Sequence, residues 1–417
     1  MTEENDWKIV LSRSNLKTVS LGFALPIGSV GEPVKGITTM LMSHIQRITA
    51  HKSEKQFADH VDDYGISLFS DTDRTDIVMG LTCPPKHVDK GISILNEIMF
   101  EPEFKEDTIE KIALRQTASI QQMQSTPESL LNNYTRWRSA FSDDPITNHP
   151  IGTPETIKDV NVEQLVKWHE KIIKNKPYFA SVGLENSEES LNAAGLESFL
   201  NSFGDERLKL HPLTNRRRKL AVEVDIPPMD SSNAYIAINV RGTDPRQGLY
   251  NEDLYRSLIS GGMSARLYTK IREEKNLSYG PRMFNSKFAT GSFSSAVMDV
   301  RSDRAIEALD TTLELLTDVF RNPIGEGEMG RAIKSAVKIA VFVADSSRSY
   351  TNYLLGRLIT NQEYDLDKIK ANIIHASEGN WQEHMENLWT EENLSFSVSG
   401  DAGDIDSRWP EAAAKVM

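Results

Sequence analysis

Ser260-Gly-Gly-Met-Ser-Ala-Arg-Leu-Tyr-Thr-Lys-Ile271 runs directly into Arg272-Glu-Glu-Lys-Asn-Leu-Ser-Tyr279, which sets an arginine and a tyrosine seven positions apart behind a helix start. Ser264 stands where an N-cap would, and Ser264–Ile271 has helical character. Gly261-Gly262 is not a phosphate cradle, because no Lys-Ser or Lys-Thr follows at P-loop spacing. Close backbone packing at a helix start is the better reading. Arg272 beside Glu273 and Glu274 can be read as a surface ion pair, and Tyr279 before Gly280-Pro281 as packing at a strand start.

Working outward, the elements around this word repeat elements of the first half with an offset of about 220 residues, a repeat to be sought before any motif. In the first half, Leu16–Leu25 alternates like a strand, and Gly36–Ile48 sets Ile37, Met40, Leu41, His44, Ile45 and Ile48 at helical spacing. Ser53-Glu-Lys-Gln56 fits a capping box for a second helix ending before Gly65. Ile66–Cys83 is expected to form two strands around Asp71–Thr75, followed by a helix over His87–Met99 and another from Glu106. The second half answers with a strand at Ala234–Val240, helices at Glu252–Ile259 and Ser264–Ile271, paired strands in Arg282–Val300 and a helix at Arg304–Phe320.

Some matches are literal. Met99-Phe-Glu-Pro102 answers Phe320-Arg-Asn-Pro323, Asn133-Tyr134 answers Asn352-Tyr353, and Lys176–Gly183 answers Asn393–Gly400. The expected architecture is therefore α+β: two homologous domains from an internal duplication, each a mostly antiparallel sheet with helices packed on one face. Residues 1–204 and 223–417 form the two domains, and the polar stretch 205–222 is the linker. Its basic run, Arg216-Arg-Arg-Lys219, fits a solvated linker better than a localisation signal or phosphate patch.

With 417 residues the chain has room for about two to four domains. Its hydrophobic share of 39% and charged share of 26% are those of a globular protein. A net charge of −13, spread along the chain, disfavours nucleic acid and anionic membranes as partners. Cys83 is the only cysteine, which excludes an internal disulfide or a Cys-rich metal site, and its apolar neighbours make an inert thiol the expectation. The acidic start Met1-Thr-Glu-Glu-Asn-Asp6 is unlike a secretory signal. No stretch nears the roughly 18 uninterrupted apolar residues of a membrane span, so a cytoplasmic location is expected.

The duplication, the Arg272–Tyr279 word and the helix at Gly36–His44 together resemble the M16 (pitrilysin-like, inverted-zincin) peptidase family in its two-domain form. In that family the first helix carries His-x-x-Glu-His. Positions i and i+4 share a helix face and bind zinc, and the glutamate activates the bound water. Here those positions fall at Thr39, Met42 and Ser43, and the third ligand, a glutamate in the family, falls at Ser119. None can bind zinc or act as the base. No histidine lies four positions either side of His44, which is expected to be a satisfied core residue.

The resemblance implies that Arg272 would hold a substrate carbonyl and Tyr279 would donate to a developing oxyanion. It implies further that zinc belongs to a homologous partner with an intact His-x-x-Glu-His, that this chain binds no metal or cofactor, and that the substrate is an unfolded or short peptide. In the family the edge strand matching Ser67–Asp73 receives extended peptide by strand addition; without zinc alongside, that role is not expected here. The chain is thus expected to be the non-catalytic subunit of a heterodimeric metalloendopeptidase, inactive alone. The alternative is a proteolytically inactive structural or peptide-binding protein, as the core subunits of respiratory complexes are.

Overall fold

The computed structural model describes residues 7–183, 187–206, 212–213, 218–229, 232–244 and 249–417, apart from the side chains of residues 249, 339 and 340. The chain divides into two compact units. The first is Met1–Ile120, Asn148–His211 and Val341–Tyr364; the second is Gln121–Thr147, Pro212–Ala340 and Asp365–Met417.

In the first unit, β1 (Lys8–Ser12), β2 (Val19–Leu25), β3 (Ser67–Thr72), β4 (Ile77–Cys83) and β5 (Tyr178–Gly183) form one sheet in the order β1-β5-β2-β4-β3. β1 and β5 are parallel; every other pair is antiparallel. Its helices include α1 (Ile37–Ile45), α2 (Glu54–Asp63), α3 (Val88–Phe100), α4 (Glu106–Ser125), which runs on into the second unit, and α5 (Val162–Ile173). The apolar spacing seen in the sequence buries Ile37, Met40, Leu41 and Ile45 of α1. The Ser53 capping box at the start of α2 is formed, its hydroxyl accepting from Gln56 N–H and the Gln56 side chain accepting from Ser53 N–H.

The second unit repeats this topology strand for strand. β6 (Ala221–Asp225), β7 (Asn233–Arg241), β8 (Arg282–Phe288), β9 (Gly291–Arg301) and β10 (Leu394–Ser399) run in the order β6-β10-β7-β9-β8, again with one parallel pair. α6 (Leu249–Ser260) and α7 (Ala305–Arg321) take the places of α1 and α3. The core gathers Ile236, Ile238 and Val240 of β7, Leu254 and Leu258 of α6, and Leu309, Leu313 and Leu316 of α7.

The structure departs from the expected one-sided sheet, and from a simple cut at the 205–222 linker, for one reason. Each unit takes a helical segment from the other half of the chain. β2 is buried along its whole length, so both its faces are covered. Its large residues turn one way, with Phe23 packed on Phe199 at 5.9 Å. Its small residues, Ser20, Gly22 and Ala24, turn the other way. There the helix Ser347–Ile359 lies on them, and a Cβ at Gly22 would stand 3.3 Å from Leu355 Cδ1. Thr351 Oγ1 donates to the Ser20 carbonyl at 3.2 Å, and Ser347 and Thr18 share a hydroxyl hydrogen bond at 2.7 Å.

In the second unit the covering segment is Pro127–Phe141, in which the turns of Leu131–Thr135 widen to a π-helix. Leu131 packs on Ala237 and Val297. Asn239 Nδ2 donates to Ser139 Oγ at 3.1 Å, while Thr135 and Arg138 both donate to the Asp225 carboxylate. The repeated Asn-Tyr pairs, 133–134 and 352–353, lie in the two exchanged segments. Residues 207–211 and 214–217, including Arg216 and Arg217, lie outside the described residues. Arg218 and Lys219 are exposed and pair with Glu223 and Glu391, as suits a solvated linker.

A fragment of residues 1–204 would leave β2 and β5 uncovered on one face. It is expected to show no cooperative thermal transition by circular dichroism, and a peptide of residues 341–364 added in trans should restore one.

Candidate functional site

At the four positions expected to answer the family's zinc site, Thr39 and Ser119 bond backbone carbonyls and Met42 is buried. Thr39 Oγ1 donates to the Pro150 carbonyl at 2.7 Å, Met42 is buried at 3% exposure, and Ser43 lies half-buried beside Gln46 and Arg47. On α4, Gln116 Nε2 donates to the carbonyls of Gly36 and Ile151, at 3.1 and 2.6 Å, which ties this helix to the start of α1. Ser119, one turn on, donates back to the Arg115 carbonyl at 3.0 Å. Hydroxyls committed to backbone carbonyls and a thioether do not fit a zinc ion. Among the described residues, no group of three or more His, Cys, Asp or Glu gathers to hold a metal.

His44 is fully buried. Its Nε2 bonds the Glu103 carbonyl at 2.9 Å and its ring stacks on Phe104 at 5.2 Å. Burial holds this imidazole below its usual value, the carbonyl pulling weakly the other way. It is a core histidine. Cys83 is buried too, its thiol pushed up to about 12 by burial, hence inert at neutral pH. β3 lies at the sheet edge, where Gln46 Nε2 donates to Ser70 Oγ at 2.7 Å.

α1 starts at Gly36, whose φ of +91° suits glycine and whose Cβ, were there one, would stand 2.7 Å from the Ile151 carbonyl. The Glu32 carboxylate accepts from Gly36 N–H at 2.7 Å and Thr38 N–H at 3.2 Å, closing two open amides of the helix start.

The second unit holds the Arg272–Tyr279 word on unusual backbone. Tyr268–Glu274 is a π-helix rather than the α-helix that the spacing implies, and Lys275 N–H reaches the Lys270 carbonyl at 3.1 Å. Ser264, expected as an N-cap, is instead exposed in a turn where Ala265 N–H bonds the Gly262 carbonyl. Gly261 does pack closely, its carbonyl accepting from Ser335 Oγ at 2.8 Å. Just beyond the π-helix stands Asn276, whose φ of +51° is left-handed. Arg304 Nη1 donates to the carbonyls of Lys275 and Asn276, at 3.2 Å each, and Ser278 Oγ donates to Asp299 at 2.6 Å. The loop is therefore braced on both sides, although Tyr279 itself is 75% exposed.

The structure brings Arg272 and Tyr279 together. The guanidinium carbon lies 3.9 Å from the centre of the Tyr279 ring and 4.7 Å from that of Tyr268. The surface ion pair is not what forms: Lys270 takes Glu274 at 2.8 Å, and Arg272 has neither a salt bridge nor a hydrogen bond among the described residues. Arg272, Asn276, Tyr279, Asp299 and Arg301 border an open depression of about 410 Å³, in which Arg301 is already paired with Asp303. Tyr268, Arg304 and Asp299 escaped the sequence reading, because nothing in their spacing marks them as supports of Arg272 and Tyr279.

The two units repeat one topology, and each half of the chain is matched by an M16 family model. Residues 8–153 match the family model described as insulinase (peptidase family M16), and residues 159–336 match that of the peptidase M16 inactive domain. The chain belongs to the M16 family. Its relatives include the "Non-peptidase homolog YmxG" of Helicobacter pylori, 21% identical over 279 residues, or 67% of this chain. This chain spans 64% of that relative, just under two thirds of its length. An "Uncharacterized zinc protease" of Rickettsia bellii is 22% identical over 350 residues, 82% of each chain. Among solved structures, a peptidase M16 inactive domain from Pseudomonas fluorescens superposes with TM-score 0.82 at 15% identity over 94% of both chains. A chain of Complex III2 from Candida albicans gives 0.81 at 15%, over 97% of this chain and 96% of that one. Likeness at such identity establishes the fold alone.

Burial pushes the Glu32 carboxyl up to about 7 from 4.5, against the two amide hydrogen bonds that favour its charged form. A carboxyl raised in this way contributes stability that is complete below pH 4.5 and is lost as pH rises through about 7. Glu32→Gln is expected to flatten the fall in unfolding free energy over that window, read by urea titration at several pH values.

Proposed function

We propose that this chain is the non-catalytic, substrate-binding subunit of a heterodimeric zinc peptidase. A homologous M16 partner with an intact His-x-x-Glu-His would hold the zinc and the general base. This chain would supply Arg272 to a carbonyl of an unfolded or short peptide, and Tyr279 to the oxyanion that develops when that peptide is attacked. The observation that carries this reading is a guanidinium with no counter-ion among the described residues, held against an exposed tyrosine on a braced loop. Donors fixed before the substrate arrives act with little reorganisation, which is what oxyanion stabilisation requires. Hydroxyls and a thioether at the positions expected for zinc ligands support a metal held by the partner.

The likeness to a Complex III2 chain supports a second reading, an M16 protein that has left proteolysis and serves assembly or peptide binding. The two differ in what the pair Arg272 and Tyr279 does. No helix among the described residues is long and apolar enough to cross a membrane.

The chain alone is expected to hold no stoichiometric zinc and to cleave no peptide, and mixing with the zinc-bearing partner should give a chelator-sensitive peptidase. Arg272→Ala and Tyr279→Phe should each lower kcat/KM of the pair about a hundredfold without weakening assembly, the scale of one lost oxyanion-type donor. Unchanged cleavage in both variants would favour the non-proteolytic reading.

A further inference from the structure

We infer that Tyr268 is a positioning residue that, together with Tyr279, clamps the Arg272 guanidinium so that its N–H edge stays open to a peptide acceptor; this rests on the proposed substrate-binding role.

Arg272 carries a long side chain with many rotamers, and two acidic neighbours, Glu273 and Glu274, stand ready to capture it. Neither does. Glu274 is held by Lys270, and the guanidinium lies instead within cation–π reach of two rings, 4.7 Å from Tyr268 and 3.9 Å from Tyr279. The two rings come from different pieces of backbone, one from the π-helix and one from beyond the left-handed Asn276. Bridging them, Arg272 couples the helix to the loop that presents Tyr279. With rings against the guanidinium, the donors that remain lie in its plane, the geometry that serves a backbone carbonyl or a carboxylate.

Tyr268 is half-buried, yet its hydroxyl makes no hydrogen bond among the described residues. Its ring, not its hydroxyl, is therefore the part in use. A side chain kept only for packing would not need to be aromatic, and this difference is measurable.

The test is a double-mutant cycle on the isolated chain, reading binding of reduced, carboxymethylated, fluorescein-labelled lactalbumin as an unfolded polypeptide probe by anisotropy. Tyr268→Phe should bind like the wild type. Tyr268→Leu should weaken binding about fivefold, the size of one half-exposed cation–π contact, and should have no further effect once Arg272→Ala is present. Tyr268→Met, close in volume and not aromatic, should match Tyr268→Leu and guards against a leucine variant that fails to fold. Equal losses from Tyr268→Leu with and without Arg272→Ala would overturn the clamp, as would wild-type affinity in the leucine and methionine variants, or no binding of the probe by wild type. Cleavage by the reconstituted pair is scored separately. Intact coupling without any zinc-dependent cleavage would refute the heterodimeric peptidase and leave the clamp standing.

Discussion

A five-stranded sheet whose central strands are buried on both faces cannot be closed by helices from one side. That constraint governs both units. β2 and β7 sort their residues by face: Leu21 and Phe23 or Ile236, Ile238 and Val240 meet the core of their own half, while Ser20, Gly22 and Ala24 or Tyr235, Ala237 and Asn239 meet a segment from the other half. The exchanged helix of the first unit buries Leu354, Leu355, Leu358 and Ile359. At about 1.5–3 kcal/mol for each fully buried aliphatic side chain, such a face contributes several kcal/mol, comparable with the whole net stability of an ordinary domain. Each half of the chain is thus incomplete without a piece of the other, and the duplication persists as two interdependent copies.

Strand alternation, helical spacing and the Ser53 capping box carry local information, and they made most elements of the duplication legible in the sequence to within a few residues. The repeated Asn-Tyr pairs mark two equivalent helices. They cannot show which copy each one covers, because nothing in either pair specifies one sheet over its homologue. The π-helix at Tyr268–Glu274 was hidden for a related reason. α and π turns draw on the same residues, and the choice between them is made by the chain just beyond, here Asn276 in a left-handed conformation with Arg304 on its carbonyl.

At the positions where the family resemblance would set zinc ligands, the side chains present need no metal to hold the fold. A zinc site with one ligand removed leaves charged, desolvated side chains that need a partner. No such difficulty arises here, since Thr39 and Ser119 turn to backbone carbonyls and Met42 joins the core. The sequence shows the absence of the ligands plainly. What it does not show is Glu32, which closes the start of the same helix from outside it through Gly36 and Thr38.

The two units have therefore been treated oppositely. In the first, the hydroxyls of Thr39 and Ser119 turn to backbone carbonyls, and Glu32 accepts from two backbone amides. In the second, a chain with 60 acidic and 47 basic residues leaves Arg272 without a counter-ion among the described residues, beside two glutamates. Ion pairing at an exposed site is worth little, typically under about 1 kcal/mol, so its absence costs the fold almost nothing. Keeping the guanidinium from those glutamates takes structure all the same: Lys270 on Glu274, two rings on Arg272, and a loop braced by Arg304 and Asp299. None of these contacts is needed to close the sheet or fill the core. Their joint effect falls on the availability of one cation and one phenol, and availability to an outside ligand is the property by which a binding site differs from a packing contact.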